Sequence, residues 1–322
     1  MSTAMDNVFR LPSLHEIKKS AERISAFIHR TPVFTSGIID EITACNIYFK
    51  CENLQKSGAF KFRGATNALL NLKDVSPNIP VTTHSSGNHA GALAKASQAI
   101  GRKCIVVMPE NAPKVKIEAV KYYNAEIVFC KPTLEARESS AEKVIEETGA
   151  VLIHPYNNYH IIAGQGTAAL ELLEDYSELE IIIIPVGGGG LLSGSSISAK
   201  AIKPAIKVFG AEPMGADDAY RSLKAGKIIP SIKPVTIADG LLTSLGDLTF
   251  EAISSNVDDI FCVSEESIIE AMRMVWKFTK MIIEPSSAVP LAAVLENKSL
   301  FKNKKLGIII SGGNVDLNKL PF

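Results

Sequence analysis

Lys61 stands in "ENLQKSGAFKFRGA" (52–65), between Phe60 and Phe62, with Gly58 and Gly64 on either side. A lysine head group is strongly hydrated and seldom buried alone. In a partly apolar pocket it loses solvation, its pKa falls, and the neutral amine becomes a nucleophile toward an aldehyde. An isolated lysine of this kind would read as an apolar stem with its head in solvent. A second motif tips the balance. In "IIIIPVGGGGLLSG", Gly187, Gly188, Gly189 and Gly190 follow an apolar run and precede Leu191. Backbone N–H groups that converge there, at the start of a helix, form an anion cradle, most often for phosphate. Four glycines exceed what a tight turn needs, since each adds unfolded-state entropy. No lysine follows them, so this is not a GxxxxGK[ST] nucleotide loop. An amine for an aldehyde, joined to a phosphate cradle, points to pyridoxal phosphate.

Two further loops add polar groups. "SGGNVD" puts Ser311 after an apolar run, where its hydroxyl can meet a ring nitrogen. A hydroxyl does not hold a pyridine proton as a carboxylate does, which suits loss of an α-proton coupled to departure of a β-substituent. "HSSGNH" (84–89) offers Ser85, Ser86, Asn88 and a helix start to a substrate carboxylate. Ser and Asn are also ordinary cap residues, but a cap does not need six such positions. His84 and His89 read as loop-anchoring groups, because no nucleophile pairs with either.

These loops need strands and helices to place them. Ser13 opens "SLHEIKKSAERISAFI" as a Ser-x-x-Glu capping box, with Leu14, Ile17, Ile24 and Phe27 on one face. Beyond it, apolar β-branched runs such as "CIVVMP", "EIIIIPV" and "LGIIIS" alternate with helical segments. That pattern predicts an α/β fold of two doubly wound domains with mainly parallel sheets covered on both faces. Residues 81–157 are expected to form a small mobile domain, and 1–80 with 158–322 a large cofactor-binding domain. The loops "SSGNH", "GQG" (164–166), "GGGG" and "SGGN" are expected after strands, where open α/β sheets bind ligands. The site would then lie between the domains, and closure would exclude water.

Composition narrows the class. Lys+Arg and Asp+Glu are both 34, so no net charge favours nucleic acid or an anionic membrane. No apolar run is long enough to span a bilayer. The opening "MSTAMDNVFRLPS" lacks a charged-then-apolar leader, and the five cysteines are dispersed without CxxC spacing. Both features lead to the expectation of a cytoplasmic enzyme without disulfides. "GAEPMGADD" brackets a tight loop with Glu212 and Asp218; with the Ala216 carbonyl they can hold Mg²⁺ or Ca²⁺ and several waters.

In this order, "ENLQKSGAFKFRGA", "SSGNHA", "GGGGL" and "SGGN" resemble the pyridoxal-phosphate-dependent serine/threonine dehydratase and serine racemase family, of the tryptophan-synthase-β fold group. "HRTPVFTS", "IADG" and "GAEPMGADD" are most similar to its eukaryotic racemase branch. The resemblance implies racemisation of serine and its dehydration to pyruvate and ammonia. Lys61 would carry the cofactor as a Schiff base and act as base on one face of Cα, with Ser86 as acid/base on the other. Asn88 would bond the ring 3-oxygen, Gly187 to Gly190 with Leu191 the phosphate, and Ser311 the ring nitrogen, with Phe60 and Gly240 beside the ring. Ser85, Ser86, Asn88 and His89 would hold the substrate carboxylate, and Arg137 would reach the substrate. The acidic loop would bind Mg²⁺, Ca²⁺ or Mn²⁺ through Glu212, Ala216 and Asp218. ATP would bind as activator at Ser36, Gly37, Ile38, Lys56, Ser57, Tyr123 and Asn314, in a homodimer. Gly37 departs from a serine common there, and Tyr156 stands where some members carry Asn.

Three alternatives remain at this point. One is a dehydratase of threonine or 3-hydroxyaspartate, or an aspartate racemase, of the same fold group. A second is an NAD-dependent dehydrogenase, for which Glu212 lies at near-fingerprint spacing after the glycines; it leaves Lys61, "SSGNH" and "SGGN" unexplained. The third, a binding-only scaffold, would have no need of Lys61.

Overall fold

The computed structural model describes residues 10–85 and 87–322. Ten strands make two sheets: β1 (Val33–Phe34), β2 (Asn46–Cys51), β3 (Val81–His84), β4 (Cys104–Pro109), β5 (Glu126–Cys130), β6 (Val151–Leu152), β7 (Ile181–Pro185), β8 (Lys207–Pro213), β9 (Asp259–Val263) and β10 (Lys305–Ile310). The six-stranded sheet runs β1-β2-β10-β7-β8-β9 and the four-stranded sheet β5-β4-β3-β6. Every pairing is parallel except the short β1–β2 contact. The central strands are apolar throughout because helices cover both faces: β4 and β7 are buried at every position.

Strand order explains which loops meet. β10 lies between β2 and β7, so the segment after β10, with Ser311, is flanked by the Lys61 segment after β2 and the glycine run after β7. Lys61 opens the Lys61–Leu70 helix, and the glycine run ends where the Gly190–Ile202 helix starts.

One expectation is corrected. Gly164 to Gly166 do not form a loop after a strand; they lie inside the Tyr159–Asp175 helix. Here glycine serves close approach. A Cβ on Gly164 would sit 2.6 Å from the Cα of Gly64, and one on Gly166 would sit 2.7 Å from the carbonyl of Gly194. The Lys61–Leu70 and Gly190–Ile202 helices therefore both rest main chain to main chain on this helix. The N-terminal capping box forms as expected, with Ser13 and Glu16 exchanging bonds, but the helix ends at Ile24 and Phe27 lies beyond it.

Candidate active site

One cavity gathers Phe60, Lys61, Ser85, Asn88, His89, Arg137, Gly187 to Gly190, Leu191, Gly240 and Ser311. Ser86 lies outside the described residues. Pro155, Tyr156, Thr243, Glu284 and Ser286 line the same space.

The Lys61 ammonium donates to the Pro155 carbonyl at 2.8 Å and lies 5.2 Å from the Phe60 ring centroid. Burial alone pulls its pKa down to about 8, since no carboxylate faces it. Neighbouring histidines do not compete for the proton. Burial pushes His89 well down and His154 to about 3, with the Lys61 charge adding to both. His154 Nδ1 accepts the Asn157 N–H at 2.9 Å, and His89 Nε2 lies 3.2 Å from the Ile153 carbonyl. Both rings are thus tethered to the backbone, and the His84 ring packs edge-on against His154.

Gly187, Gly188 and Gly189 leave no room for a side chain, and Gly190 leaves little. A Cβ at Gly187 would lie 2.9 Å from Leu241 Cα, at Gly188 2.4 Å from the Tyr156 ring, and at Gly189 2.8 Å from Leu245 and Thr249. Gly189 also has a left-handed φ of +86°. The first backbone bond of the following helix is Ser193 N–H to Gly189 carbonyl, so the earlier amides have no acceptor within the helix. These amides and the helix dipole suit a phosphate dianion.

Ser311 is 3% exposed, and its hydroxyl lies 3.1 Å from Ser287 Oγ. The Ser287 proton goes to the Gly312 carbonyl at 2.6 Å, so Ser311 donates either to Ser287 or to a ligand. Asn88 Nδ2 donates to Glu284 Oε1 at 2.6 Å, and Asn314 Nδ2 donates to both Asn88 Oδ1 and the Ser57 carbonyl. Burial pushes Glu284 up to about 7 against the pull of Lys116, and its Oε2 is buried with no partner. Ser85 Oγ accepts the Gly87 N–H, and the Gly240 N–H goes to Ser286 Oγ. Pyridoxal phosphate fits this donor set: an amine of lowered pKa, a cradle that admits only glycine, and hydroxyl and amide groups between them.

Behind Lys61 lies a buried ion cluster. Arg63, fully buried, grips Glu52 with Nε and Nη2 at 2.7 Å each, and Glu171 with Nη1 and Nη2 at 2.7 and 2.8 Å. Lys50 donates to Glu171 at 2.6 Å, and Thr31 Oγ1 to Glu52 at 2.5 Å. Burial pushes Glu171 up, but Arg63 and Lys50 outweigh it and hold the carboxyl below the usual range.

Glu212 and Asp218 are each 1% exposed. Burial and mutual repulsion push Glu212 up to about 9, and burial with Asp217 nearby pushes Asp218 up to about 6. Glu212 accepts the Ala219 and Tyr220 amides, while Asp218 Oδ2 is buried without a partner. A divalent cation would neutralise the pair, and the Ala216 turn beside it is buried too. Among the described residues no cluster of three His, Cys, Asp or Glu is placed around a metal, so such an ion would draw on carbonyl and water oxygens. Of the positions implied for ATP, Ser57 and Asn314 are joined. Ser36 caps the Gly37–Thr43 helix, Ile38 is exposed, Lys56 lies in the short turn with Ser57, and Tyr123 ends the Lys114–Tyr122 helix. No hydrogen bond or ion pair among the described residues links Ser36, Ile38 or Tyr123 to Ser57 or Asn314.

A family model described as "Pyridoxal-phosphate dependent enzyme" matches residues 24–312. The chain belongs to the pyridoxal-phosphate-dependent enzyme family. It is 54% identical to a serine racemase of Dictyostelium discoideum over 96% of each chain. It is 46% identical to a beta-hydroxyaspartate dehydratase of Paracoccus denitrificans, over 97% of this chain and 99% of that protein. Among solved structures, maize serine racemase superposes with a TM-score of 0.94 at 46% identity, covering 96% of this chain and 95% of that one. The α/β fold with parallel sheets is shared with these relatives, and among the described residues no helix is long and apolar enough to cross a membrane.

The sequence reading had missed several groups. Glu284, Ser287 and Ser286 precede or open a helix in "IIEPSSAV", where they read as an N-cap and first turn. The tie between Lys116 and Asp239 and the Arg63 cluster join residues far apart in the chain, and no local spacing signals them.

Proposed function

We propose that this protein interconverts L- and D-serine and also dehydrates serine to pyruvate and ammonia. One observation carries the reading: a buried, easily deprotonated lysine shares a cavity with a glycine-only anion cradle. High identity to several serine racemases supports the choice of substrate. When bound, pyridoxal phosphate supplies an aldehyde for amines and a ring that withdraws electrons from Cα.

Gly187 to Gly190 and Leu191 would hold the phosphate, Asn88 the 3-oxygen and Ser311 the ring nitrogen, with Phe60 and Gly240 beside the ring. Lys61 would take or return the Cα proton on one face and Ser86 on the other; inversion requires a proton source on each face. Ser85, Asn88 and His89 would orient the carboxylate, and Arg137 would approach from the four-stranded sheet's side. The units 81–157 and 1–80 with 158–322 would move relative to each other to exclude water. Glu212, Asp218 and the Ala216 carbonyl would hold Mg²⁺, Ca²⁺ or Mn²⁺. ATP at the Ser57–Asn314 end, in a cytoplasmic homodimer, completes the proposal.

The test is incubation of holoenzyme with L-serine and with D-serine, following pyruvate and the opposite enantiomer together. Production of neither refutes the reading. A second reading, elimination from or racemisation of an aspartate-type substrate, draws on Arg137, whose Nε is buried without a partner. A relative named beta-hydroxyaspartate dehydratase and a solved aspartate racemase, 39% identical, also support it. Aspartate and 3-hydroxyaspartate in the same assay decide between them.

A further inference from the structure

Beyond the cavity just described lies a second one of about 270 Å³. The two share Gly87, Arg137, Asp239 and Thr243, so they form an inner and an outer chamber of one cleft. Lys116, on the Lys114–Tyr122 helix of the four-stranded sheet's unit, lines the outer chamber. Its side chain is 6% exposed, and its ammonium donates to Asp239 Oδ2 on the opposite wall. Asp239 begins the Asp239–Leu241 turn, against which Gly187 packs.

Arg137 lines both chambers, as Asp239 does, yet the two are not paired. Among the described residues no carboxylate lies within ion-pair distance of Arg137, and its buried Nε has no acceptor. A guanidinium and a carboxylate facing the same small space would ordinarily pair. Asp239 is instead held by a nearly buried lysine.

We propose that Lys116 is a positioning residue: by holding Asp239 across the cleft, it keeps Arg137 available to a substrate carboxylate. The inference rests on the reading that Arg137 meets an amino acid in this cavity. Lys116 lines the outer chamber alone; it acts by occupying a carboxylate that shares both chambers with Arg137.

The variants are Lys116→Met, Asp239→Asn, the double variant, Lys116→Arg and Arg137→Met. For each, kcat and KM for serine are measured, together with the affinity for glycine, which has the carboxylate but no β-substituent. Glycine binding is followed through the visible spectrum of the bound cofactor. Released from Lys116, Asp239 pairs with Arg137. Lys116→Met should therefore weaken glycine binding and raise KM about five- to tenfold, the scale of a partly exposed ion pair, with kcat within about threefold. Adding Asp239→Asn removes the competitor, so the double variant should return to within about threefold of the parent. Lys116→Arg should stay near the parent as well. A double variant as weak as Lys116→Met would overturn the inference, since a merely structural lysine would not be rescued by losing its partner. Unchanged glycine affinity in Lys116→Met would overturn it too. Unchanged glycine affinity in Arg137→Met would overturn the reading of Arg137 beneath it, and the inference with it.

Discussion

Replacing Arg63 by Met tests how much the buried ion cluster contributes. In the intact protein, Arg63 and Lys50 balance Glu52 and Glu171 charge for charge. Arg63→Met leaves Glu171 with Lys50, but Glu52 keeps only the Thr31 hydroxyl. Removing one partner of a buried ion pair costs about 3–5 kcal/mol, because the other charge stays buried. At roughly 2 °C per kcal/mol for a chain of this size, the melting temperature should fall by about 6–10 °C. Glu52→Gln in the same background should recover at least about 1 kcal/mol. Thermal unfolding of holoenzyme, with cofactor saturating, makes the measurement. A shift under about 2 °C, or a further loss with Glu52→Gln, would refute the reasoning.

Lys61→Ala should abolish turnover and the visible absorbance of bound cofactor, and ordinary turnover in that variant would refute the assignment. Cofactor capture by the apoenzyme should accelerate about tenfold per pH unit up to about 8 and then level off, because burial makes the neutral amine available there; a plateau reached only near 10.5 would contradict the lowered pKa. Gly188→Ala drives a methyl into the Tyr156 ring, so cofactor affinity measured by equilibrium dialysis should fall at least about tenfold and recover in part with Tyr156→Ala. Asp218→Ala should weaken stimulation by divalent ions, and an unchanged metal titration would place that ion elsewhere.

The α/β class was legible because buried parallel strands leave continuous apolar runs, and "EIIIIPV" and "LGIIIS" could hardly be read otherwise. The glycine run and Lys61 were legible because each departs from what local structure requires. The 164–166 glycines were misread for a related reason. Glycine marks both a turn and a close approach of backbones, and only the partner helices, at Gly64 and Gly194, decide which. Glu284 was hidden by its place before Pro285, where an acidic helix start is commonplace. Arg63 was visible in the lysine segment, but its acceptors lie 11 and 108 positions away, beyond any periodicity.

The glycine crossings at 64 with 164 and at 166 with 194 have an evolutionary consequence. They hold the helices that carry the amine and the phosphate cradle together through close main-chain contact. Side chains around the cleft, Tyr156 and Arg137 among them, are then at liberty to drift toward new substrates, while the span that the chemistry needs stays the same. A scaffold held together in this way can change its clientele without rebuilding its centre.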